Sequence, residues 1–207
     1  KIYNILKYIK LDKARQMKTF LKRPIVTLTT LGLLTLSSII PAKANLFDQK
    51  EVDQSRYVAI AIPRDFGPQL LILEQKTDAR QCWSESGDRP TLVDPLLLNF
   101  NFTGICGRAT DSNGYSIRMA GTDLALDYAL SLQMSGGDIR LMGISRIDSN
   151  APRLLIGKTY GLANGMTKII LEPGWRFAKR SYQGKELGHI YITTDWMPTE
   201  LESYNPR

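Results

Sequence analysis

The stretch DPLLLNFNFTGICGRATDSNGYSIRMAG, residues 94–121, decides how this chain folds. It opens with an apolar run from Leu96 to Phe102 and continues to Cys106, which lies between two nearby glycines. The sequence DSNG at 111–114 is typical of a tight turn, because Asp and Asn bond their own backbone and Gly tolerates positive φ. Apolar and polar residues then alternate over 115–120, as they do in a strand. The stretch predicts two strands, a turn and a cysteine bridge, and it is more typical of a folding nucleus than of an active site.

Short apolar segments bounded by turn residues continue through residues 57–193. They predict further strands at 57–62, 69–75, 124–134, 139–147, 152–159, 166–171, 174–182 and 187–193. The first two are separated by a Phe-Gly-Pro turn and predict a hairpin. About nine or ten short strands at regular spacing indicate a single all-β domain, an antiparallel sandwich or barrel-like fold. We interpret residues 45–56 as a leader, 76–91 as a loop or short helix, and 194–207 as an irregular tail.

The segment before this domain has the three parts of a signal peptide. Within residues 17–44 a basic start precedes an apolar stretch from Ile25 to Ile40, and Ala42-Lys43-Ala44 has the A-x-A form of a cleavage site. The apolar part is short for a membrane span, which needs about 20 mostly apolar residues. We therefore expect cleavage before Asn45 and no transmembrane span afterwards, and an uncleaved anchor is the alternative. Residues 1–16 are interpreted as a mis-extended N-terminus, or else as a genuine long basic region.

The charge of the chain lies mostly in this leading segment. Residues 1–44 contain nine of the 27 Lys and Arg residues but one of the 20 Asp and Glu residues. The remaining part has 18 basic and 19 acidic residues and a net charge of −1. A nucleic-acid-binding domain is expected to carry a basic surface, so this balance argues against a nucleic-acid partner.

The two cysteines, Cys82 and Cys106, both lie in the expected mature domain. In an exported protein two cysteines most often form one structural disulfide. The alternatives are a metal pair or a reactive thiol, but His189 is the single histidine and no CxxC spacing is present. This set is poor for zinc, so we predict a disulfide, no metal and no cofactor.

Three motifs together resemble a known family. They are QCWSESG at 81–87, VDPLLLNFNFTGICGRATDSNGYSIRMAG at 93–121, and LEPGWRFAKRSYQGKELGHIY at 171–191. These motifs are similar to those of exported cyanobacterial proteins classified as domain of unknown function 3747, and the likeness covers residues 57–193. The resemblance implies an exported, envelope-associated location. It implies no activity and supplies no catalytic or binding residues.

Candidate catalytic residues are few. His189 could act as a general base only with a hydroxyl or thiol in hydrogen-bond reach, and no nucleophile motif accompanies it. Glu74, Asp111 and Glu172 are the carboxylates that could supply two acids for glycoside hydrolysis, which needs them about 5 to 9 Å apart. Their alternative roles are structural: Asp111 would bond its own turn, and the two glutamates would be charges at strand ends or partners of arginines.

Aromatic residues beside polar ones suggest ligand binding. A flat apolar ring with a polar rim suits a sugar, and Trp175, Trp196, Arg176 and Tyr182 are the candidates for such a surface. The alternative is that these rings fill the core of the β domain. Trp83 is assigned to packing on the disulfide.

The leading hypothesis is an exported, non-catalytic binding or structural module of the cell envelope, whose partner is a glycan or an envelope protein. The alternative is a small envelope glycan hydrolase that uses two of the three carboxylates. A lumenal assembly factor is a third hypothesis.

Overall fold

The structure, a computed structural model, describes residues 46–198, and this part of the chain is all-β. Its fourteen strands are β1 Asp48–Glu51, β2 Tyr57–Ile62, β3 Gln69–Gln75, β4 Ser84–Ser86, β5 Leu92–Asp94, β6 Cys106–Ala109, β7 Tyr115–Met119, β8 Thr122–Asp123, β9 Tyr128–Ser135, β10 Asp138–Ser145, β11 Leu154–Lys158, β12 Thr167–Leu171, β13 Arg176–Tyr182 and β14 Lys185–Thr194. Two 3-10 helices, Gln54–Arg56 and Leu96–Asn99, are the helical elements of this range. The predicted fold class is therefore confirmed at the level of all-β.

The first sheet has five strands in the order β1-β13-β14-β7-β8. Most of its neighbours are antiparallel, but β14 runs parallel to β7, with Ile190 opposite Tyr115 and Thr194 opposite Met119. The expectation of a purely antiparallel domain is thus wrong at this pair. The chain leaves β7, builds β9 to β12 in the other sheet and returns, and a long crossover of this kind is what permits parallel pairing.

The second sheet has nine strands, with the order β6-β3-β2-β12-β11-β10-β9 and with β4 and β5 attached through β12. The predicted hairpin of β2 and β3 is present, and Tyr57 lies opposite Glu74 in its register. The main core contains residues of both sheets, among them Ile72 of β3 and Ile192 of β14.

The β2–β3 hairpin is buried on both of its faces. Tyr57, Ala59 and Ala61 belong to the main core, whereas Val58, Ile60 and Ile62 belong to a second apolar cluster. Side chains alternate between the two faces of a strand, so burial of both faces requires a continuous apolar sequence. The segments YVAIAI and QLLILEQ have that composition.

The second cluster is closed by the chain between β3 and β6. Cys82 and Cys106 form the predicted disulfide there, with their Cα atoms 5.8 Å apart. The run from Leu96 to Phe102 was predicted as a strand, but its first four residues form a 3-10 helix. The physical reason is its position: it covers a face of the hairpin and buries Leu97, rather than extending a sheet edge.

Several boundaries also differ from those that the sequence predicts. The expected leader contains β1, the segment 76–91 contains β4, and residues 124–127 form a turn rather than the start of a strand. Within residues 46–198 no helix has the length and apolar character needed to cross a bilayer. The predicted signal peptide and the end of the predicted tail lie outside the described residues.

Candidate functional site

A groove of about 630 Å³ lies between β2, β12, β13 and the loop that carries β4. We call it the indole groove and define it by Trp83, Glu85, Arg89, Lys168 and Trp175. Two structural features bring its aromatic residues together. Trp83 directly follows the disulfide-bonded Cys82, and Trp175 directly precedes β13.

Trp83 occupies the side of the groove next to the disulfide. It is partly buried and packs against the second apolar cluster, which contains Cys82 and Cys106. Its Nε1 donates to Glu85 Oε1 at 3.1 Å. This hydrogen bond fixes the plane of the indole, so the ring is held in one orientation at the groove wall.

Trp175 lines the groove from the side of the main core. It is only 6 % exposed, so it does not form an open aromatic platform on the surface. Its backbone N–H donates to Glu172 O at 3.0 Å, which places the ring at the start of β13. Its Nε1 is buried and has no hydrogen-bond partner among the described residues. A buried donor without an acceptor is costly, so an acceptor that reached it would be favoured.

The rim of the groove is polar. Lys168 Nζ lies 2.7 Å from Glu85 Oε2, and this ion pair joins β12 to β4. The Arg89 guanidinium lies 5.1 Å from the centroid of the Tyr160 ring. The groove therefore combines two indoles with charged groups of both signs. Sequence reasoning missed this arrangement because the rim residues come from elements that are far apart in the sequence.

Arg176 also lines the groove, but carboxylates already occupy its guanidinium. It bonds Glu51 Oε2 at 3.0 Å and Asp195 Oδ1 at 2.9 Å. The hydrogen bond to Glu51, followed by the one to Asp195, raises the pKa of Arg176 above its usual value. This residue holds β1 and the end of β14 to β13 and has few donors left for a ligand.

The other two predicted ligand residues lie apart from each other. The ring of Trp196 packs on Gly174, where a Cβ would come within 2.8 Å of it. Tyr182 is 41 % exposed and makes an edge contact with Phe47, with ring centroids 6.0 Å apart. Tyr182 ends the seven-residue β13 that Arg176 begins, a separation of about 20 Å at the usual rise of a strand. The four predicted residues therefore do not form one binding face.

Glu74 is the most buried of the three candidate carboxylates. Its Oε2 is 2.8 Å from Lys179 Nζ, and its Oε1 accepts a hydrogen bond from the Tyr57 hydroxyl at 2.8 Å. Burial, then this hydrogen bond, raises the pKa of Tyr57 well above its usual value, so the phenol remains a donor. The trio lies in the wall of a polar depression of about 560 Å³.

Asp111 and Glu172 have other surroundings. Asp111 is exposed and its Oδ1 accepts from the backbone N–H of Asn113 at 2.9 Å, which is the turn-forming role that the sequence suggested. Glu172 Oε1 lies 3.2 Å from Lys158 Nζ. Asp111 lines a smaller cavity, distinct from the depression at Glu74. The structure does not bring the three carboxylates into one common site.

His189 does have a hydroxyl partner. Its Nε2 is 2.8 Å from Ser116 Oγ, and its Nδ1 is 2.9 Å from the carbonyl oxygen of Asn113. Ser116 was not singled out from the sequence, because its partner lies 73 residues away on the strand that pairs in parallel with β7. The sequence signal that could have identified Ser116 is the alternation of apolar and polar residues over 115–120. This alternation places Ser116 on the face of β7 opposite its core residues.

The part of the chain from 46 to 198 contains no group of three or more His, Cys, Asp or Glu residues that could hold a metal ion.

Comparison with known proteins gives one match. The model of the family described as protein of unknown function (DUF3747) matches residues 24–197. The chain belongs to this family. The resemblance expected from the three sequence motifs is thus confirmed, and no curated protein or solved structure matches the chain. In this DUF3747 protein the indole groove and the Ser116–His189 pair both lie inside the matched region.

Proposed function

We propose that this DUF3747 protein is exported and acts in the cell envelope as a binding module, which holds a glycan chain in the indole groove. The observation that carries the proposal is the groove itself, in which Trp83 and Trp175 line a polar-rimmed space of about 630 Å³. Sites of this size with aromatic walls and a few polar groups are typical of small-molecule and sugar binding.

The chemistry of the groove suits a sugar ring. The apolar face of a pyranose packs on a flat indole ring. The hydrogen bond from Trp83 Nε1 to Glu85 Oε1 holds this indole in one orientation. The hydroxyls at the edge of the ring need donors and acceptors, which the Lys168–Glu85 pair supplies. The unpartnered Nε1 of Trp175 would bond a ligand oxygen that reached it, such as the carbonyl of an N-acetyl group.

Two further observations support the location. The disulfide between Cys82 and Cys106 is typical of an oxidising compartment outside the cytoplasm. Residues 17–44 have the basic, apolar and A-x-A parts of a signal peptide. Cleavage before Asn45 would remove all of the excess positive charge and leave a domain with a net charge of −1.

The test is a titration of the protein, produced from its full-length chain, with chitotetraose as the probe and tryptophan fluorescence as the readout. We expect saturable binding, and we expect Trp83→Ala to weaken it about tenfold or more, since a buried aromatic anchor usually dominates such a site. Phe66→Ala is the matched control, because Phe66 is a fully exposed aromatic residue outside the groove. Absence of binding, or equal affinity in the Trp83 variant, would refute the proposal.

The second hypothesis, a glycan hydrolase with two acids, gains no support from these contacts. Its carboxylates must face each other across a cleft, whereas Glu74 is paired with Lys179 and Asp111 lines a different cavity. An envelope protein as the partner remains an outcome of the same experiment. It would be indicated by retention on an isolated envelope fraction without any effect of chitotetraose.

A further inference from the structure

Ser116 and His189 form a hydrogen-bonded pair on the polar face of the five-stranded sheet. Tyr115, Ile117, Ile190 and Ile192 belong to the main core, so the residues between them on β7 and β14 face the other way. The parallel register sets Tyr191 opposite Ser116, which places His189 one diagonal step away. Their side chains meet with Ser116 Oγ 2.8 Å from His189 Nε2.

The contacts of the imidazole fix which nitrogen carries its proton. A carbonyl oxygen can only accept, so at 2.9 Å the Nδ1–H of His189 must donate to Asn113 O. In the neutral ring the Nε2 is then a lone-pair acceptor, and the Ser116 hydroxyl donates to it. Burial, the largest influence, lowers the pKa of His189 below its ordinary value of 6.5, so the ring is neutral near pH 7. A serine, a histidine base and a group that orients the base are thus in place.

Neighbouring groups complete the arrangement. Asp123 Oδ1 lies 3.4 Å from Ser116 Oγ. The attraction between the Asp123 carboxylate and the imidazole favours a positive charge on His189. Asp123 Oδ2 is held by Arg180 Nη2 and by the Tyr191 hydroxyl, each at 2.8 Å. The carboxylate is therefore fixed in position, as an electrostatic partner of a catalytic histidine must be.

Space for a substrate lies beside the serine. Ser116 lines a cavity of about 310 Å³, whose wall also contains Ser112, Tyr128 and the exposed Arg146. A cavity of this size accommodates a short acyl group or a small ester. Arg146 supplies a positive charge in the wall, which would stabilise the oxyanion of a tetrahedral intermediate or a carboxylate on the substrate.

We propose that Ser116 is the nucleophile, and His189 the general base, of an acyl-transfer site that hydrolyses small carboxylic esters. The Ser116 oxygen attacks the ester carbonyl carbon while its proton passes to His189 Nε2. The C–O bond of the ester then breaks, and the same proton goes to the leaving alcohol. Water attacks the acyl-serine, gives a proton to Nε2, and releases the acid as that proton returns to Ser116.

This site is independent of the indole groove, with which it shares no lining residue. Failure of glycan binding would leave the acyl-transfer proposal standing, and the reverse also holds.

The experiment treats the folded full-length protein with a small fluorophosphonate ester and maps the modified residue by mass spectrometry. We expect a covalent adduct on Ser116, because a fluorophosphonate reacts with a serine that a histidine activates. The rate of labelling should fall on the order of 100-fold or more in His189→Gln, the usual contribution of general-base catalysis. Ser149→Ala is the matched control, since Ser149 is an exposed serine outside this cavity, and it should leave labelling of Ser116 unchanged.

A pH profile of the wild-type protein keeps the test valid if the His189 variant fails to fold. His189 is surrounded by Ser116 and the Asn113 carbonyl, by Asp123 of β8, by Lys179 and Arg180 of β13, and by Tyr191. Labelling should rise with pH through a single step below 6.5, where the imidazole loses its proton. No adduct on Ser116, an unchanged rate in His189→Gln, or a rate that does not depend on pH would overturn the proposal.

Discussion

Lys179 Nζ lies 2.8 Å from Glu74 Oε2, and the two side chains are only 3 % and 10 % exposed. The pair joins β13 of the five-stranded sheet to β3 of the nine-stranded sheet, so it is an electrostatic link between the two sheets. Tyr57 adds a hydrogen bond to the same carboxylate. A buried pair of this kind tolerates the loss of both charges better than the loss of one.

Lys179→Met should therefore lower the free energy of unfolding by about 3–5 kcal/mol, since it leaves the Glu74 carboxylate buried without its cation. The double variant Lys179→Met with Glu74→Leu should recover part of that loss. Urea denaturation measures both. Lys50→Met is the control, because Lys50 pairs with Glu186 at the surface, where an ion pair contributes about 0–1 kcal/mol. Equal effects of the Lys179 and Lys50 substitutions would contradict the buried-link interpretation.

Gly107→Ala should destabilise the fold because β6 runs close beside the Glu74 side chain. A Cβ at Gly107 would come within 2.5 Å of Glu74 Oε2 and 3.0 Å of Glu74 Cβ. We expect a loss of about 1–3 kcal/mol, the usual cost of overpacking, from thermal or urea unfolding. Gly188→Ala tests the same substitution in a strand with open space, since no atom lies within 4 Å of a Cβ there. If Gly107→Ala leaves the free energy of unfolding unchanged while Gly188→Ala lowers it, this packing argument fails.

Removal of the disulfide should lower stability by about 3–4 kcal/mol in the chain-entropy model, because the bridge closes a loop between residues 24 apart. The variant with Cys82→Ala and Cys106→Ala should melt at a lower temperature than the oxidised protein. The wild-type protein treated with dithiothreitol should melt close to the variant. If reductant leaves the melting temperature unchanged while the thiols become free, the bridge does not hold the second apolar cluster in place.

The stability of the protein should decrease as the pH falls below about 6.5, in part through His189. Burial, followed by repulsion from Arg180 and Lys179, lowers the pKa of His189 in the folded state, against the hydrogen bond to Asn113 and the attraction of Asp123. Below 6.5 the unfolded chain therefore binds more protons than the folded one, which favours unfolding. Urea midpoints measured from neutral to mildly acidic pH should fall less steeply in His189→Gln. If the urea midpoints of the two proteins fall equally with pH, His189 does not contribute to the pH dependence of stability.

The sequence predicted best those elements whose residue pattern is compatible with only one type of secondary structure. The runs 57–62 and 69–75 are bounded by turn residues and have apolar centres, and they form β2 and β3, which pair as the predicted hairpin. The disulfide was predicted from an even cysteine count in a domain that we expect to be exported. In such cases local sequence alone supplies the constraint.

The failures occurred where distant parts of the chain decide the structure. Alternation predicted a strand from Leu124, yet the backbone N–H of Leu124 donates to Ile117 O and that of Arg146 donates to Asp127 O, so residues 124–127 form a turn between β7 and β10. Leu126, at an expected core position, is 85 % exposed. The pattern gave no information about these tertiary contacts.

The candidate sites were less predictable than the fold for the same reason. The type of residue suggested the tryptophans as candidates for binding, but the burial of Trp175 and the packing of Trp196 on Gly174 depend on the fold. The proximity of Ser116 and His189 depends on a parallel pairing between strands far apart in sequence. No local pattern reports such a pairing.

The parallel pair also constrains the order in which the chain can fold. Within residues 46–198, β14 is the last strand in sequence but the middle strand of its sheet, between β13 and β7. Until it arrives, β7 has an unpaired edge, and closing so long a connection is slow. We therefore expect a chain that is still emerging from a ribosome or a translocation pore to remain without its completed five-stranded sheet. Such a delay would keep the polypeptide sufficiently unfolded to pass through a translocation pore until β14 has crossed it.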